Sequence, residues 1–279
     1  MERSCLSFVM KNIRFVLVFL VFAATPISAQ SVWKPLFGSF LEPNRFTTCY
    51  DADATRLRLE AGFGMAFMRV PSVNFGAECL IWSGLKTLEG FRFPVETADY
   101  FFGFNAVIPH FLSNPDLTSR IRLSHISSHL VDGTQDSVVG GSSSRFSREF
   151  ISFETELVSI AGELPIRGSV GIKYVFHQVT KVEPAIQFPI TLEYRFLSWT
   201  DMDDDASIQG GEMFASVSSA GGPQYPIFTG SLVFRLQPTT QTAVDVYGQY
   251  FGGETKYGVE GDMSRSGFEC GLRLSTLSF

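Results

Sequence analysis

Apolar and polar residues alternate along much of the chain, so that every second side chain is apolar over stretches of about ten residues. Within residues 166–176 the even-numbered positions are apolar or glycine, whereas the odd-numbered positions include Arg167 and Lys173. The same division recurs in residues 186–196 and 57–67. A period of two residues is that of a β-strand, whose successive side chains point to opposite faces. The pattern therefore predicts strands with one apolar and one polar face.

The apolar faces are long enough to cross a hydrocarbon layer, which takes about nine to eleven residues of a tilted strand. A soluble β-sandwich would give a similar alternation, because its apolar faces meet in a shared core. The membrane interpretation is favoured by segment length, by the N-terminal segment described below, and by aromatic residues near segment ends, such as Tyr100, Tyr194 and Tyr250. The predicted fold is all-β: a transmembrane, antiparallel, up-and-down β-barrel.

Eleven segments of the chain have this character, each about ten to fourteen residues long. They begin near Thr55, Phe75, Ala98, Leu117, Phe146, Ile166, Ile186, Glu212, Phe228, Thr242 and Gly267. Because bacterial barrels have an even number of strands, we expect a twelfth between Trp33 and Tyr50, where the alternation is weak. Twelve strands are therefore predicted, with ten as the alternative.

Residues 1–29 have the composition of a cleavable signal peptide. Basic side chains precede an apolar run over residues 15–24, and small residues lead up to Ala29. An uncleaved signal anchor is disfavoured, because the run is short for a membrane span and Pro26 would break a longer helix. We expect cleavage after Ala29, with residues 30–279 forming the barrel.

Charge and cysteine content limit the partners and cofactors that the chain is expected to bind. The net charge of the whole chain is −6, and loss of residues 1–29, with three basic and one acidic side chain, would make it −8. An acidic exported chain lacks the clustered basic face that a nucleic-acid partner needs. The remaining cysteines form an odd set at unrelated spacings, which indicates neither a disulfide framework nor a metal site: Cys49, Cys79 and Cys270. No cofactor is expected, and calcium stays open without a supporting motif, since the aspartates in residues 201–205 lack calcium-loop spacing.

One stretch carries candidate chemistry: residues 120–130, which read RIRLSHISSHL. On a strand, Ile121, His125 and Ser127 share one face. If that face meets lipid, an imidazole and a hydroxyl point outward with it, which is costly unless they are paired or lie at the membrane interface. Counting strands back from a periplasmic C-terminus places the pair near the extracellular end of an outward-running strand.

The next predicted strand supplies an acid. A hairpin closing around residues 130 and 146 would place Glu149 roughly opposite Ser127, on the same face. Ser127 would then be a nucleophile, His125 its general base, and Glu149 the group that fixes the imidazole tautomer. These three side chains are the predicted catalytic residues.

The alternative is an architectural role for the same polar residues. His125, Ser127 and His129 would then be interface residues, hydrogen-bonded to one another and to lipid headgroups. His110 and His177 are isolated in the sequence and are expected to be ordinary strand-end residues.

The stretch R-x-R-L-x-H-x-S-S-H-L, with the chain length and the terminal Phe279, resembles an uncharacterised family of Gram-negative outer-membrane β-barrel proteins, a domain of unknown function. His-x-Ser on a barrel strand is also similar to the motif of outer-membrane phospholipase A and of the outer-membrane lipid A deacylase, whose active sites face the outer leaflet. The resemblance implies His125 as base and Ser127 as nucleophile. Glu149 matches the deacylase's third residue on the following strand, whereas no Asn matches that of the phospholipase. The chain departs from both at Ser128, where those enzymes usually have Asn.

Two function hypotheses follow. The first is a lipid-active serine hydrolase acting on acyl esters of outer-leaflet phospholipid or lipid A. The second is a non-enzymatic barrel, a small pore or a structural protein, whose polar residues are architectural. Lumenal charges such as Arg58, Glu60 and Lys173 either line a pore or, as is more usual in a barrel of twelve strands, pair and fill the interior. Both hypotheses predict location in the outer membrane, with its lipids as surroundings and the barrel assembly machinery as a partner during biogenesis. The pattern leaves the oligomeric state open.

Overall fold

The computed structural model describes residues 36, 45–51, 56–86, 88, 93–130, 145–157, 165–179, 185–200, 210–222, 225–239, 242–253 and 266–276. The predicted signal peptide, the aspartates in residues 201–205 and Phe279 lie outside these residues. In the part of the chain that the structure describes, no helix is long and apolar enough to span a membrane.

Strands account for nearly all of the described residues. They are β1 Arg45–Asp51, β2 Arg56–Val70, β3 Val73–Lys86, β4 Val95–Ile108, β5 Leu117–Leu130, β6 Arg145–Leu157, β7 Ile166–Val179, β8 Ile186–Gln187, β9 Ile190–Thr200, β10 Gly210–Gly222, β11 Tyr225–Thr239, β12 Thr242–Gly253 and β13 Gly267–Thr276. A single 3₁₀ turn, Phe111–Ser113, lies among them between β4 and β5.

Antiparallel pairing of sequential strands, completed by β1 with β13, closes the sheet into a barrel. The short β8 and the longer β9 both pair with β7 and form one barrel strand, interrupted at Phe188 and Pro189. Proline has no N–H to donate, but Gly171 still donates its backbone N–H to the Pro189 carbonyl at 2.8 Å. The barrel therefore has twelve strands, as predicted, and β1 is the strand expected between Trp33 and Tyr50.

The outward side chains are apolar and exposed, which confirms the predicted lipid-facing surface. The alternation is clearest on β7 and β9, where apolar outward residues alternate with largely polar or small inward ones. Large exposed side chains of this surface include Phe63, Phe67, Phe102, Phe104, Ile172, Tyr174, Phe188, Ile190, Leu192 and Tyr194. A continuous apolar exterior of this kind is the surface that hydrocarbon chains contact in a transmembrane barrel.

The inner face carries the charged residues, which form ion pairs between strands. Arg58 donates to both carboxylate oxygens of Glu269 at 2.6 and 2.8 Å, and to Glu60 at 3.0 Å. Further pairs join Arg120 to Glu154, Arg122 to Glu78, Arg167 to Glu156 and Arg235 to Asp245. The expectation that lumenal charges would pair is confirmed for Arg58 and Glu60.

Two apolar clusters lie among the inward side chains. The first spans β3 to β7 and consists of Leu80, Trp82, Phe101, Ile126, Phe150 and Val175. The second lies on β1, β10, β11 and β12 and consists of Cys49, Phe214, Val233 and Tyr247. Because these side chains are almost inaccessible to solvent, the described interior is packed with protein at both clusters.

The ends of the strands set the direction of the barrel in the membrane. Arg45 and Thr276 lie at the same edge, together with the two-residue turn between β2 and β3. The opposite edge holds the fourteen-residue connection between β5 and β6. Barrels of this class have short periplasmic turns and longer extracellular loops, so β5 runs outward and β6 returns.

Replacing Arg235 with Met is expected to destabilise the barrel, because the fully buried Asp245 would lose its partner. Arg235 Nε and Nη2 donate to the two Asp245 oxygens at 2.7 and 3.1 Å. Removal of one member of a buried ion pair costs about 3–5 kcal/mol of unfolding free energy. Denaturant unfolding in detergent micelles, followed by tryptophan fluorescence, measures the change. The double variant Arg235→Met, Asp245→Leu should recover part of the loss, although Glu212, which accepts from Arg235 Nη1 at 3.0 Å, loses this donor in both variants. An equal loss in both variants would contradict the pairing account.

Candidate active site

Alternation on β5 places His125 and Ser127 on the outer wall of the barrel. The outward positions before them, Ile121 and Leu123, are exposed and apolar, whereas the intervening inward residues are buried. The buried set is Arg122, Ser124, Ile126 and Ser128. The sequence prediction that the imidazole and the hydroxyl share the lipid-facing side is therefore matched by the structure.

Glu149 of β6 lies directly opposite His125, and Ser147 lies opposite Ser127. The sequence-based expectation, in which Glu149 lay opposite Ser127, was wrong by two residues. The hairpin closes from the pair His129 and Arg145, and not from residues 130 and 146. A shift of two residues preserves the face of a strand, so Glu149 stays on the outer wall but meets the imidazole first.

The contact between His125 and Glu149 fixes the imidazole. The Nδ1 atom of His125 lies 2.8 Å from Oε1 of Glu149, with the two side chains 39 % and 29 % exposed. An ionised carboxylate only accepts hydrogen bonds, so Nδ1 carries the proton that is donated. The Nε2 atom of a neutral His125 is then unprotonated and has the electron pair that a general base needs.

Ser127 lies two residues further along the same face, about 6.8 Å along the strand. Its backbone neighbours across the ladders are Ser147 on β6 and Tyr100 on β4. Within the described residues its hydroxyl makes no hydrogen bond, so the contact with His125 that a nucleophile requires is not formed in this structure. The structure therefore brings His125 and Glu149 together and places Ser127 beside them.

His177 of β7 is a third member of this outer-wall group, which corrects the expectation that it would be an isolated, ordinary strand-end residue. Its Nδ1 atom contacts Oε2 of Glu149, the oxygen that His125 does not use. The register between β6 and β7 shifts between Glu149 and Phe150, so that Glu149 pairs with His177 while Phe150 pairs with Val175. This bulge turns His177 outward, although strict alternation from Lys173 would have turned it inward.

The residue after the candidate nucleophile faces the other way. Ser128 is buried on the inner face, and its hydroxyl donates to Asp99 of β4. Its side chain therefore does not belong to the outer-wall group. The side chain of His129, also considered in the sequence analysis, lies outside the described part of the structure.

The wall behind the group is closely packed. Ile126 and Phe150, the inward neighbours of His125 and Glu149 in the chain, are almost fully buried in the first apolar cluster. Phe150 stacks on Phe101 with ring centroids 6.5 Å apart, and the ammonium of Lys173 lies 4.8 Å from the Phe150 centroid. Polar groups carried on strands with such support are held more rigidly than groups carried on loops.

The polar group lies where the outward side chains of β5 and β6 change from apolar to polar, while the neighbouring strands carry exposed Phe102 level with His125 and exposed Val179 beyond His177. Below it, towards the middle of the barrel, the outward residues Leu123, Ile151 and Tyr174 are exposed and apolar. Above them, the outward positions of β5 and β6 become His125 and Glu149 on adjacent strands. Because β5 runs outward, this transition belongs to the extracellular half of the membrane.

The arrangement differs from that of a metal site. Both imidazoles direct Nδ1 at the carboxylate itself and not towards a common point between three ligands. Among the described residues, no group of three or more His, Cys, Asp or Glu side chains is arranged to hold a metal ion. That the protein needs no cofactor, with calcium left open, stays a prediction.

Comparison with known proteins identifies the fold. No family model matches the chain, and no curated protein matches it. The outer membrane phospholipase of Salmonella typhi, solved as a dimer with bound calcium, matches with a TM-score of 0.58 and 11 % identity, covering 88 % of this chain and 96 % of that one. Outer membrane phospholipase A from Escherichia coli matches with a TM-score of 0.56 and 12 % identity, covering 90 % and 96 %.

The barrel architecture, the apolar exterior and these matches define an outer-membrane β-barrel protein. In particular, its fold is similar to that of outer membrane phospholipase A, which confirms for the fold one of the resemblances drawn from the sequence. At such low identity the likeness concerns architecture alone. The predicted location in the outer membrane is confirmed.

Proposed function

We propose that this barrel is a lipid-active serine hydrolase that cleaves acyl esters in the outer leaflet, with Ser127 as nucleophile, His125 as general base and Glu149 as the orienting acid. The observation that carries the proposal is the contact of His125 Nδ1 with Glu149 at 2.8 Å on the lipid-facing wall, beside Ser127. An architectural barrel has no need of a charged side chain on this surface, where unpaired polar groups are costly.

The reaction follows from the tautomer that Glu149 imposes. His125 Nε2 accepts the Ser127 proton as Oγ attacks the ester carbonyl, and His125 then donates that proton to the departing alcohol. Water, deprotonated by the same nitrogen, attacks the acyl-enzyme and releases a fatty acid, and the proton returns to Ser127. In ligand-free sites, catalytic hydrogen bonds often form only when substrate binds, and we propose this for Ser127 and His125.

The depth of the site supports an ester of a membrane lipid as substrate. Acyl esters lie at the boundary between the hydrocarbon layer and the headgroups. On β5 and β6 the outward residues change from apolar to polar at His125 and Glu149, as expected near such a boundary. Exposed Leu123, Ile151 and Phe102 would contact the acyl chain below the ester. The fold shared with a phospholipase agrees with this substrate class, and lipid A offers the same chemistry.

An Asn side chain directly after the nucleophile cannot stabilise the oxyanion in this protein. Ser128 holds that position, and its side chain faces the lumen and Asp99. We propose that donors outside the Ser128 side chain, such as backbone N–H groups or water at the interface, supply this stabilisation.

A small pore is the competing function, and the packed interior argues against it. Two apolar clusters and many ion pairs occupy the described inner face. We expect no stepwise conductance when the purified protein is added to planar bilayers. A general porin that produces steps in the same bilayers serves as positive control, and reproducible steps from this protein would contradict the packed-lumen account.

Fatty acid release in mixed micelles tests the hydrolase proposal. We expect the wild-type barrel to release fatty acid, whereas Ser127→Ala and His125→Ala lower kcat by at least about a thousandfold, because each removes a group that acts only as part of the unit. Glu149→Gln should lower kcat by roughly a hundredfold or more. Assays with Ca²⁺ and with a chelator cover the open question of calcium.

Ser147→Ala is the matched control, because Ser147 lies opposite Ser127 and has no place in the proposed mechanism. It should retain the wild-type rate. Equal release from the wild type and from Ser127→Ala would exclude Ser127 as the nucleophile.

A further inference from the structure

We infer that His177 is a positioning residue: it holds the Glu149 carboxylate in the one orientation that fixes His125 as a base. The inference rests on the proposed function for its catalytic consequence. Its structural basis is the contact of His177 Nδ1 with Oε2 of Glu149, while His125 Nδ1 contacts Oε1.

The bulge in β7 lies next to His177 and reverses the direction of its side chain. Lys173 and Val175 are buried inward residues of β7, and continued alternation would place His177 beside them. The shift of register between Glu149 and Phe150 instead pairs His177 with Glu149, and leaves His177 61 % exposed on the outer wall. Bulges next to active sites commonly redirect a side chain in this way.

The chemistry of a carboxylate explains why one imidazole is insufficient. Glu149 has three side-chain torsions and is only partly covered, so a single hydrogen bond to His125 leaves the carboxylate free to rotate. A second donor on Oε2 fixes the plane of the group. It also satisfies the oxygen that would otherwise face lipid or interfacial solvent without a protein partner. Both imidazoles then carry their proton on Nδ1, since each donates to an acceptor.

The first test distinguishes a positioning role of His177 from a purely structural role. His177→Ala should lower kcat for fatty acid release about tenfold to a hundredfold with little change in KM, because the lost hydrogen bond is to a charged group and acts through His125. His177→Asn should restore most of the rate, since its side-chain amide places an N–H donor at the same distance from the backbone as Nδ1. Val179→Ala, at the next outward position of β7, is the matched control and should keep the wild-type rate.

The second test reads the His125 tautomer and needs no activity. The chain has four histidines, so ¹⁵N-histidine spectra in micelles at about pH 8, where ordinary imidazoles are neutral, can be assigned with single substitutions. We expect His125 to be protonated at Nδ1 in the wild type and in His177→Asn. In His177→Ala we expect a mixture of the two tautomers.

The outcomes distinguish this inference from the proposed function. A wild-type kcat together with an unchanged His125 tautomer in His177→Ala would overturn the positioning role of His177. If the His125 tautomer depends on His177 but the barrel shows no Ser127-dependent hydrolysis, the positioning of Glu149 by His177 is supported and the hydrolase proposal is overturned. Loss of both kcat and the fixed tautomer, with rescue by His177→Asn, supports both.

Discussion

A hydrocarbon layer offers no water to backbone N–H and C=O groups, so a sheet can cross it only if every strand has two neighbours. In this chain the pairing of β1 with β13 meets that requirement by closing the sheet. Closure then gives each side chain one of two surroundings, lipid or lumen, according to its parity along the strand. The apolar exterior and the ion pairs of Arg58 and Arg235 inside the barrel follow from that division.

The outer-wall group of His125, Glu149 and His177 is an exception to this division, because it places polar and charged side chains on the lipid-facing surface. Its members reduce the cost by pairing with one another: Glu149 accepts from His125 and from His177, so that both carboxylate oxygens are used. On the inner face, the buried residues Ile126 and Phe150 support β5 and β6 by packing in the first apolar cluster. Under the proposed function, the barrel wall that shields the lumen would also orient His125 as a base towards a lipid ester.

Alternation predicted eleven of the twelve strands and the faces of His125, Ser127 and Glu149. The twelfth strand followed from the even strand number of bacterial barrels, and the membrane fold from segment length, the N-terminal segment and the aromatic residues near segment ends. The predicted hairpin placed Glu149 two residues from its true position, because the long connection between β5 and β6 does not fix where the hairpin closes. The predicted face of Glu149 was still correct, because a shift of two residues equals one strand period. His177 could not be predicted, since a bulge reverses parity without a signal in the neighbouring sequence, and its partner lies on another strand. Pairing across strands depends on register, which local patterns do not contain.

The central claim is that His125 activates Ser127 on the outer surface of the barrel. Covalent labelling with a long-chain alkyl phosphonate ester, an activated analogue that reacts with a nucleophilic serine, tests this claim most directly. Peptide mapping by mass spectrometry should find one adduct, on Ser127, in the wild-type barrel and none in His125→Ala. Absence of any adduct in the wild type, or an adduct on another serine that persists in His125→Ala, would contradict the account.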